Sequence, residues 1–280
     1  MQLTTRTEVD VLRSLPHADL RRIGAWVFLD HFGPTRQVEG MVVAAHPHTG
    51  LQTVTWLFEG IGDHRDSIGT TQIIEPGQLN LMTAGSGIAH SEKSLRGGER
   101  LHAVQLWLAL PDSVRNSAPS FQHISDVPRW ESGGARAKVF IGELAGIKSS
   151  AKVHSEVVGA ELRIQGSVSI PVNPEWEHGI LVSAGNTNIN GVSVSEGELW
   201  FNEPGIESLT VESEDALLVL IGGKPFDEPF VMWWNFIGRS DAEVRRMREE
   251  WEAGKYPSFV DEIGGRIPAP QMPSINLIPR

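Results

Sequence analysis

Short runs of β-branched and aromatic residues, each cut off within a few positions by glycine, proline, asparagine or aspartate, dictate the fold class of this chain. In the first half these runs are IGAWVFL (23–29), GMVVAA (40–45), TVTWLF (53–58) and HAVQLWLAL (102–110). The second half adds ARAKVFI (135–141), ELRI (161–164), GSVSI (166–170), GILVS (179–183), GELWF (197–201), ESLTV (207–211) and ALLVLIGG (216–223). Punctuators such as EPGQ, AGSG, SGG, NING and SEGE lie between them. Many strand-length runs with turn chemistry at close intervals predict a sandwich or barrel. The expectation is an all-β protein of two jelly-roll-like barrels, closed by a single C-terminal helix.

That helix has its own signature. Ser240 and Glu243 form a capping box, Val244, Met247 and Trp251 recur at helical spacing, and Gly254 offers a stop. Shorter helical turns are expected near 8–14 and 126–130. A polar stretch rich in Ser, Pro and Gly (111–135) reads as the connection between two β domains. The division expected is therefore 1–125, 126–235 and a C-terminal segment 236–280 of helix and extended tail. The tail GGRIPAPQMPSINLIPR has four prolines and no periodicity, so it is either disordered or an arm lying over the body.

Charge and composition narrow the function classes. The net charge is −11, and the densest basic group (Arg245, Arg246, Arg248) is interleaved with Glu243, Glu249 and Glu250, which predicts a solvated helix face and no direct nucleic-acid binding. Absence of cysteine excludes disulfides, thiolate ligands, iron–sulfur clusters and a cysteine nucleophile. The N-terminus has no apolar core of signal-peptide length, and no uncharged apolar run approaches the ~20 residues a spanning helix needs. The reading is a cytoplasmic protein with no membrane partner.

Two segments carry chemistry: AAHPHTG (44–50) and AGSGIAHSEKS (84–94). Residues two apart on a strand share a face. His46 and His48 form one such pair, and His90 and Glu92 another. Two such strands facing each other inside a barrel would bring three imidazoles and one carboxylate onto one mononuclear metal ion. Nitrogen and oxygen donors without sulfur suit Fe, Mn, Ni, Cu or Zn, and four protein ligands leave open positions on an ion that prefers six. Gly85 and Gly87 let the chain turn tightly ahead of His90 and Glu92; no lysine or helix signal follows, so they form no phosphate loop. Gln105 and Trp107 share a strand face and are candidate pocket walls. Asp66, in the HRDSIG turn with His64 and Ser67, either accepts a hydrogen bond from a ligand histidine or holds the turn. The C-terminal half has only His154 and His178 and no H-x-H pair, so the second barrel is expected to be free of metal.

Spacing gives the sharper argument. Gly40, His46-x-His48, Thr53 and Gly60 follow the first cupin motif, G-x5-H-x-H-x4-E-x6-G, with Thr53 where the motif has glutamate. The missing carboxylate reappears as Glu92, two residues beyond His90. The chain resembles the pirin family of two-cupin proteins over nearly all of residues 5–255. The stretches concerned are 13–34, 44–60, 64–92, 101–111 and 222–240, with HPHTGLQTVT and AGSGIAHSE the most specific. The resemblance implies that His46, His48, His90 and Glu92 hold the metal, with Fe(II) as the expected ion. It also implies a quercetin 2,3-dioxygenase-like activity that opens a flavonol ring using dioxygen, in which Glu92 is the expected catalytic residue. The alternative it implies is a non-enzymatic iron-binding redox sensor that docks on a protein partner, a transcription factor or metabolic enzyme.

Overall fold

The computed structural model describes residues 10–36, 41–95, 100–257, 259 and 263–279. Among the described residues, antiparallel strands predominate and are arranged as two cupin barrels, with one helix near the C-terminus.

The first barrel has two facing sheets. Strands β1 (Val11–Leu15), β2 (Trp26–Arg36), β4 (Leu51–Glu59), β7 (Leu79–Thr83), β9 (Arg100–Ala109) and β10 (Ser120–Ile124) form one, in the order β1-β2-β9-β4-β7-β10. Strands β3 (Val42–His48), β5 (Gly62–Asp66), β6 (Thr71–Ile74) and β8 (Ile88–Ser94) form the other, in the order β3-β8-β5-β6. Alternation assigns the faces of the larger sheet. Val54, Trp56, Val104, Leu106 and Leu108 point away from the barrel into a core shared with the second half of the chain. Thr53, Thr55, Gln105 and Trp107, one position out of phase, point the other way. The side-chain period of two makes the sheet two-faced: one face builds the site, the other builds the molecule.

The second barrel begins with Arg129–Ser132 paired to Ala135–Ile141, and its sheet continues through Val157–Pro171, Ser208–Gly223, Glu177–Ala184 and Leu199–Asn202. Its interior is filled by Ala137, Val139, Leu162, Ile180, Val182, Leu218 and Leu220, all buried. The runs 161–164 and 166–170 are one 15-residue strand, because Gly166 sits at a bulge (φ 104°) and not at a turn. Runs 207–211 and 216–223 likewise belong to one 16-residue strand.

The shared core between the barrels joins Trp26, Leu29, Trp56 and Leu81 to Phe140, Leu181, Val219 and Ile221. Polar bonds cross it: Trp26 Nε1 donates to the Gly222 carbonyl at 3.1 Å, and Trp56 Nε1 donates to the buried Glu161 carboxylate at 3.0 Å.

Two short helical turns expected from sequence are not helical. The described part of 8–14 is mainly β1, an edge strand whose Arg13 makes a bidentate pair with buried Asp30 (both contacts 2.8 Å); the free edge of β2 outcompetes a local helix. Residues 126–130 form a bend running into the strand at Arg129, and Pro128 disfavours helical geometry at Val127.

The long helix is α1 (Asp241–Glu252). Ser240 accepts from the Glu243 amide as its N-cap, and Val244, Met247 and Trp251 are buried. They pack with Ala89, Val231 and Phe236 against the first barrel. The tail is an arm over the body. The Ile267 amide donates to the Ala45 carbonyl (2.8 Å), Trp251 Nε1 donates to the Ile267 carbonyl (2.9 Å), and Ala269 is buried.

Candidate metal centre

Strands β3, β8 and β5 lie side by side, and each brings one i,i+2 pair. β3 carries His46 and His48, β8 carries His90 and Glu92, and β5 carries His64 and Asp66. Register aligns them: His46 stands opposite His90, His64 opposite Glu92, and Asp66 opposite His90. The third pair is a signal present in the sequence, H-x-D, that reads there as part of a turn.

The approach to β8 depends on glycine. Gly85 has φ 53°, and a Cβ on it would stand 2.1 Å from the Ser117 carbonyl oxygen, so no other residue fits there without moving the chain.

The imidazoles of His46, His48 and His90 converge, with ring centroids 4.3–5.0 Å apart, and all three are buried. Their ligand nitrogens lie within 4.8 Å of one another. Burial pushes the pKa of His46 down to about 4 against a smaller opposing pull from the Ala44 carbonyl; burial and then the neighbouring imidazoles hold His48 and His90 well below the usual range. All three are therefore neutral near pH 7, the form in which histidine binds metal.

Hydrogen bonds decide which nitrogens are free. His46 Nδ1 donates to the Ala44 carbonyl at 2.9 Å, leaving Nε2 with its lone pair. His90 Nδ1 lies 3.4 Å from His64 Nδ1, while its Nε2 is buried with no hydrogen-bond partner; His48 Nδ1 is also buried and without one. Buried polar nitrogens without partners carry a desolvation cost that a bound cation would remove. The donor set thus fits a metal ion.

Glu92 is placed differently. Its carboxylate groups with His64 and His90 and not with the three-imidazole cluster, and Thr55 Oγ1 donates to its Oε1 at 3.2 Å. Thr55 Oγ1 also lies 3.1 Å from Gln105 Oε1. Burial raises the pKa of Glu92, against smaller opposing effects of His64 and Thr55.

Beside Glu92 opens a cavity, with Phe32, Leu57, Ile74 and Leu101 among its apolar walls and Thr55 and Gln105 among its polar ones. Among the three imidazoles, His64 and Glu92, Glu92 alone lines it. Gln105 therefore lies on the cavity wall, whereas Trp107 does not: it stacks on Phe28 (3.9 Å, 9°) and sets its ring edge-on to His48 at 5.0 Å. Thr53, at the motif's glutamate position, is buried between Met82 and Trp107 in the sheet. Asp66 holds the turn through Oδ1, which accepts the amides of Ile68 and Thr70, and meets a histidine through Oδ2, 3.2 Å from His64 Nε2.

Comparison with known proteins agrees with this architecture. The Pirin family model matches residues 8–108, and that of the Pirin C-terminal cupin domain matches 157–257. A Pseudomonas aeruginosa protein provisionally named quercetin 2,3-dioxygenase is 40% identical, over 95% of this chain and 86% of its own length. A pirin-like protein of Caulobacter vibrioides is 35% identical, over 94% of each chain. The crystal structure of quercetin 2,3-dioxygenase from Acinetobacter baumannii superposes with a TM-score of 0.92 at 39% identity, covering 95% of this chain and 91% of that one. Two cupin barrels, both family domains in order and relatives matched almost end to end leave one conclusion: this chain belongs to the pirin family.

Proposed function

We infer that the protein is a metal-dependent dioxygenase of the quercetin 2,3-dioxygenase kind, acting on a flavonol and dioxygen. We assign His46, His48, His90 and Glu92 as ligands of one metal ion, with Fe(II) as the expected occupant. The observation that carries this reading is the meeting of three neutral, buried imidazoles, two with orphaned nitrogens, next to a carboxylate that opens onto an apolar cavity. The names of the Pseudomonas and Acinetobacter relatives support the same reaction class.

A bound divalent metal would acidify a coordinated enolic hydroxyl and leave a position for dioxygen. The chain's own residues do the rest. The cavity beside Glu92 is lined mostly by apolar side chains, a lining that suits a flat, largely apolar ring system. Its apolar walls exclude water and place the ring edge against Glu92. Glu92, the one proposed ligand on the cavity wall, would take the flavonol hydroxyl proton as the incoming hydroxyl competes with it for the metal. Thr55 holds Oε1, which leaves Oε2 for the metal or, once released from it, for that proton. Gln105, on the same cavity wall, faces the substrate's hydroxylated edge, and its Oε1 competes with Glu92 for the single Thr55 hydroxyl proton.

The test is direct. Purified protein loaded in turn with iron, manganese, nickel and copper is incubated with quercetin under oxygen. Loss of flavonol absorbance with release of carbon monoxide is expected with at least one metal; no loss with any of them ends this assignment.

A further inference from the structure

Of the three residue pairs on adjoining strands, the proposed ligand set uses two and leaves His64 and Asp66 without a role. Yet both are buried, and His64 is stacked on Phe121 at 4.6 Å. Nothing about a buried turn requires an imidazole whose two nitrogens both face polar partners.

We propose that Asp66 and His64 form a hydrogen-bond chain that selects the tautomer of His90 and so aims its Nε2 lone pair at the metal. This rests on the reading above that His90 is a ligand. The chain starts at fixed backbone: the amides of Ile68 and Thr70 donate to Asp66 Oδ1 at 3.0 and 2.9 Å. That locks the carboxylate with Oδ2 toward His64 Nε2 (3.2 Å), which must carry the ring proton to donate to it. His64 Nδ1 is then a bare lone pair, 3.4 Å from His90 Nδ1. It can only accept, so the His90 proton sits on Nδ1 and the partnerless Nε2 is left as donor to a metal. Metal-binding histidines commonly pass their second N–H to a carboxylate or carbonyl. Here an imidazole is interposed, with the carboxylate one step further out. His46 achieves the same tautomer through the Ala44 carbonyl.

The lock on Asp66 gives a prediction with a definite sign. In Asp66→Asn the amide cannot turn over freely, because Oδ1 must still accept two backbone N–H groups. The new Nδ2 donor therefore faces His64 Nε2 and drives its proton to Nδ1, opposite His90 Nδ1. His90 must then carry its own proton on Nε2, where it blocks the metal. His64→Phe keeps the stack on Phe121 and merely releases His90 to choose either tautomer. His64→Gln can restore an acceptor toward His90 and a donor toward Asp66.

The experiment measures Co(II) affinity by competition with a chromophoric chelator, together with the visible spectrum of the bound ion and a metal-free thermal melt. Loss of a group supporting a metal ligand costs ~10–100-fold in affinity. The expected order is His64→Gln within about threefold of wild type, His64→Phe about tenfold weaker and Asp66→Asn about a hundredfold weaker, with altered Co(II) bands in the last two. Asp66→Asn binding as tightly as His64→Phe would overturn the chain. Equal affinity of His64→Phe and His64→Gln would overturn it independently, should Asp66→Asn fail to fold. Two Co(II) ions per chain would do so as well, since His64, His90 and Glu92 would then be ligands of a second ion. Wild-type cobalt binding by His90→Ala would instead bring down the ligand assignment beneath it.

Discussion

The two barrels share a fold and differ in what fills them. The second is packed with alanine, valine, leucine and isoleucine. The first lines one wall of its interior with three pairs of buried or half-buried polar side chains from β3, β8 and β5: His46 and His48, His90 and Glu92, His64 and Asp66. Apolar packing stabilises without direction, whereas buried imidazoles cost desolvation and must be held by named partners. The difference teaches how the work is divided. The second barrel buries apolar area inside itself and against the outer face of the β1–β10 sheet, which frees the inner face of the first barrel to carry chemistry.

The sharpest way to break this comparison is at the cluster. His46→Ala and His90→Ala should each lose essentially all bound metal and all dioxygenase turnover, with metal-free thermal stability close to that of wild type. Elemental analysis alongside melting curves checks both; metal content equal to wild type refutes the ligand assignment.

A substitution in the other barrel should do the reverse. Leu220→Ala, at a fully buried position, should cost about 2–5 kcal/mol in urea unfolding, while the metal content of the folded fraction stays at wild-type level. If metal is lost in proportion to stability, the two barrels are not independent.

The interface comes next. Trp56→Phe keeps the ring but removes the donor to Glu161, a buried carboxylate that retains Arg163 Nε at 3.1 Å. A loss of about 1–3 kcal/mol is expected for a buried acceptor deprived of a partner. No change would mean that Arg163 and Lys138 satisfy Glu161 without it.

The smallest effect near neutrality lies in a buried cluster joining the two halves. His31 Nε2 and His102 Nε2 stand 2.9 Å apart, and Ser183 Oγ lies 2.8 and 2.9 Å from them. Burial, then the neighbouring His31, lowers the pKa of His102 to about 4, and burial lowers that of His31. The unfolded chain binds these protons below its ordinary value of about 6.5, whereas the folded chain takes the His102 proton only near 4. Stability is therefore undiminished above about pH 6.5 and falls as pH drops from there toward about 4. Urea melts across that window should show a shallower acid limb for His102→Gln than for wild type; identical slopes would show that the pair does not govern it.

Much of this was legible in the residues. Val244, Met247 and Trp251 with the Ser240 cap specify α1, since periodicity and capping are local properties. H-x-H and H-x-E name two pairs that must share a face. Where the sequence misleads, a glycine or a strand edge is responsible: 161–164 and 166–170 read as separate runs and are one strand bulged at Gly166, and residues 11–15 become a strand because β2 has a free edge. Glu92 meets the imidazole cluster through His90, while Thr55, on the facing sheet, holds its Oε1.

By itself, then, the sequence determined the fold class, the family and which side chains travel in pairs, because strand alternation and motif spacing are written along the chain. Only the tertiary structure decided which pairs meet. A period of two says that His46 accompanies His48, but not which face they take or what lies across the sheet, and one residue of slip would turn every pair outward. The register of β5 against β8 is long-range information; it alone brings His64 and Asp66 to His90 and joins the third pair to the other two.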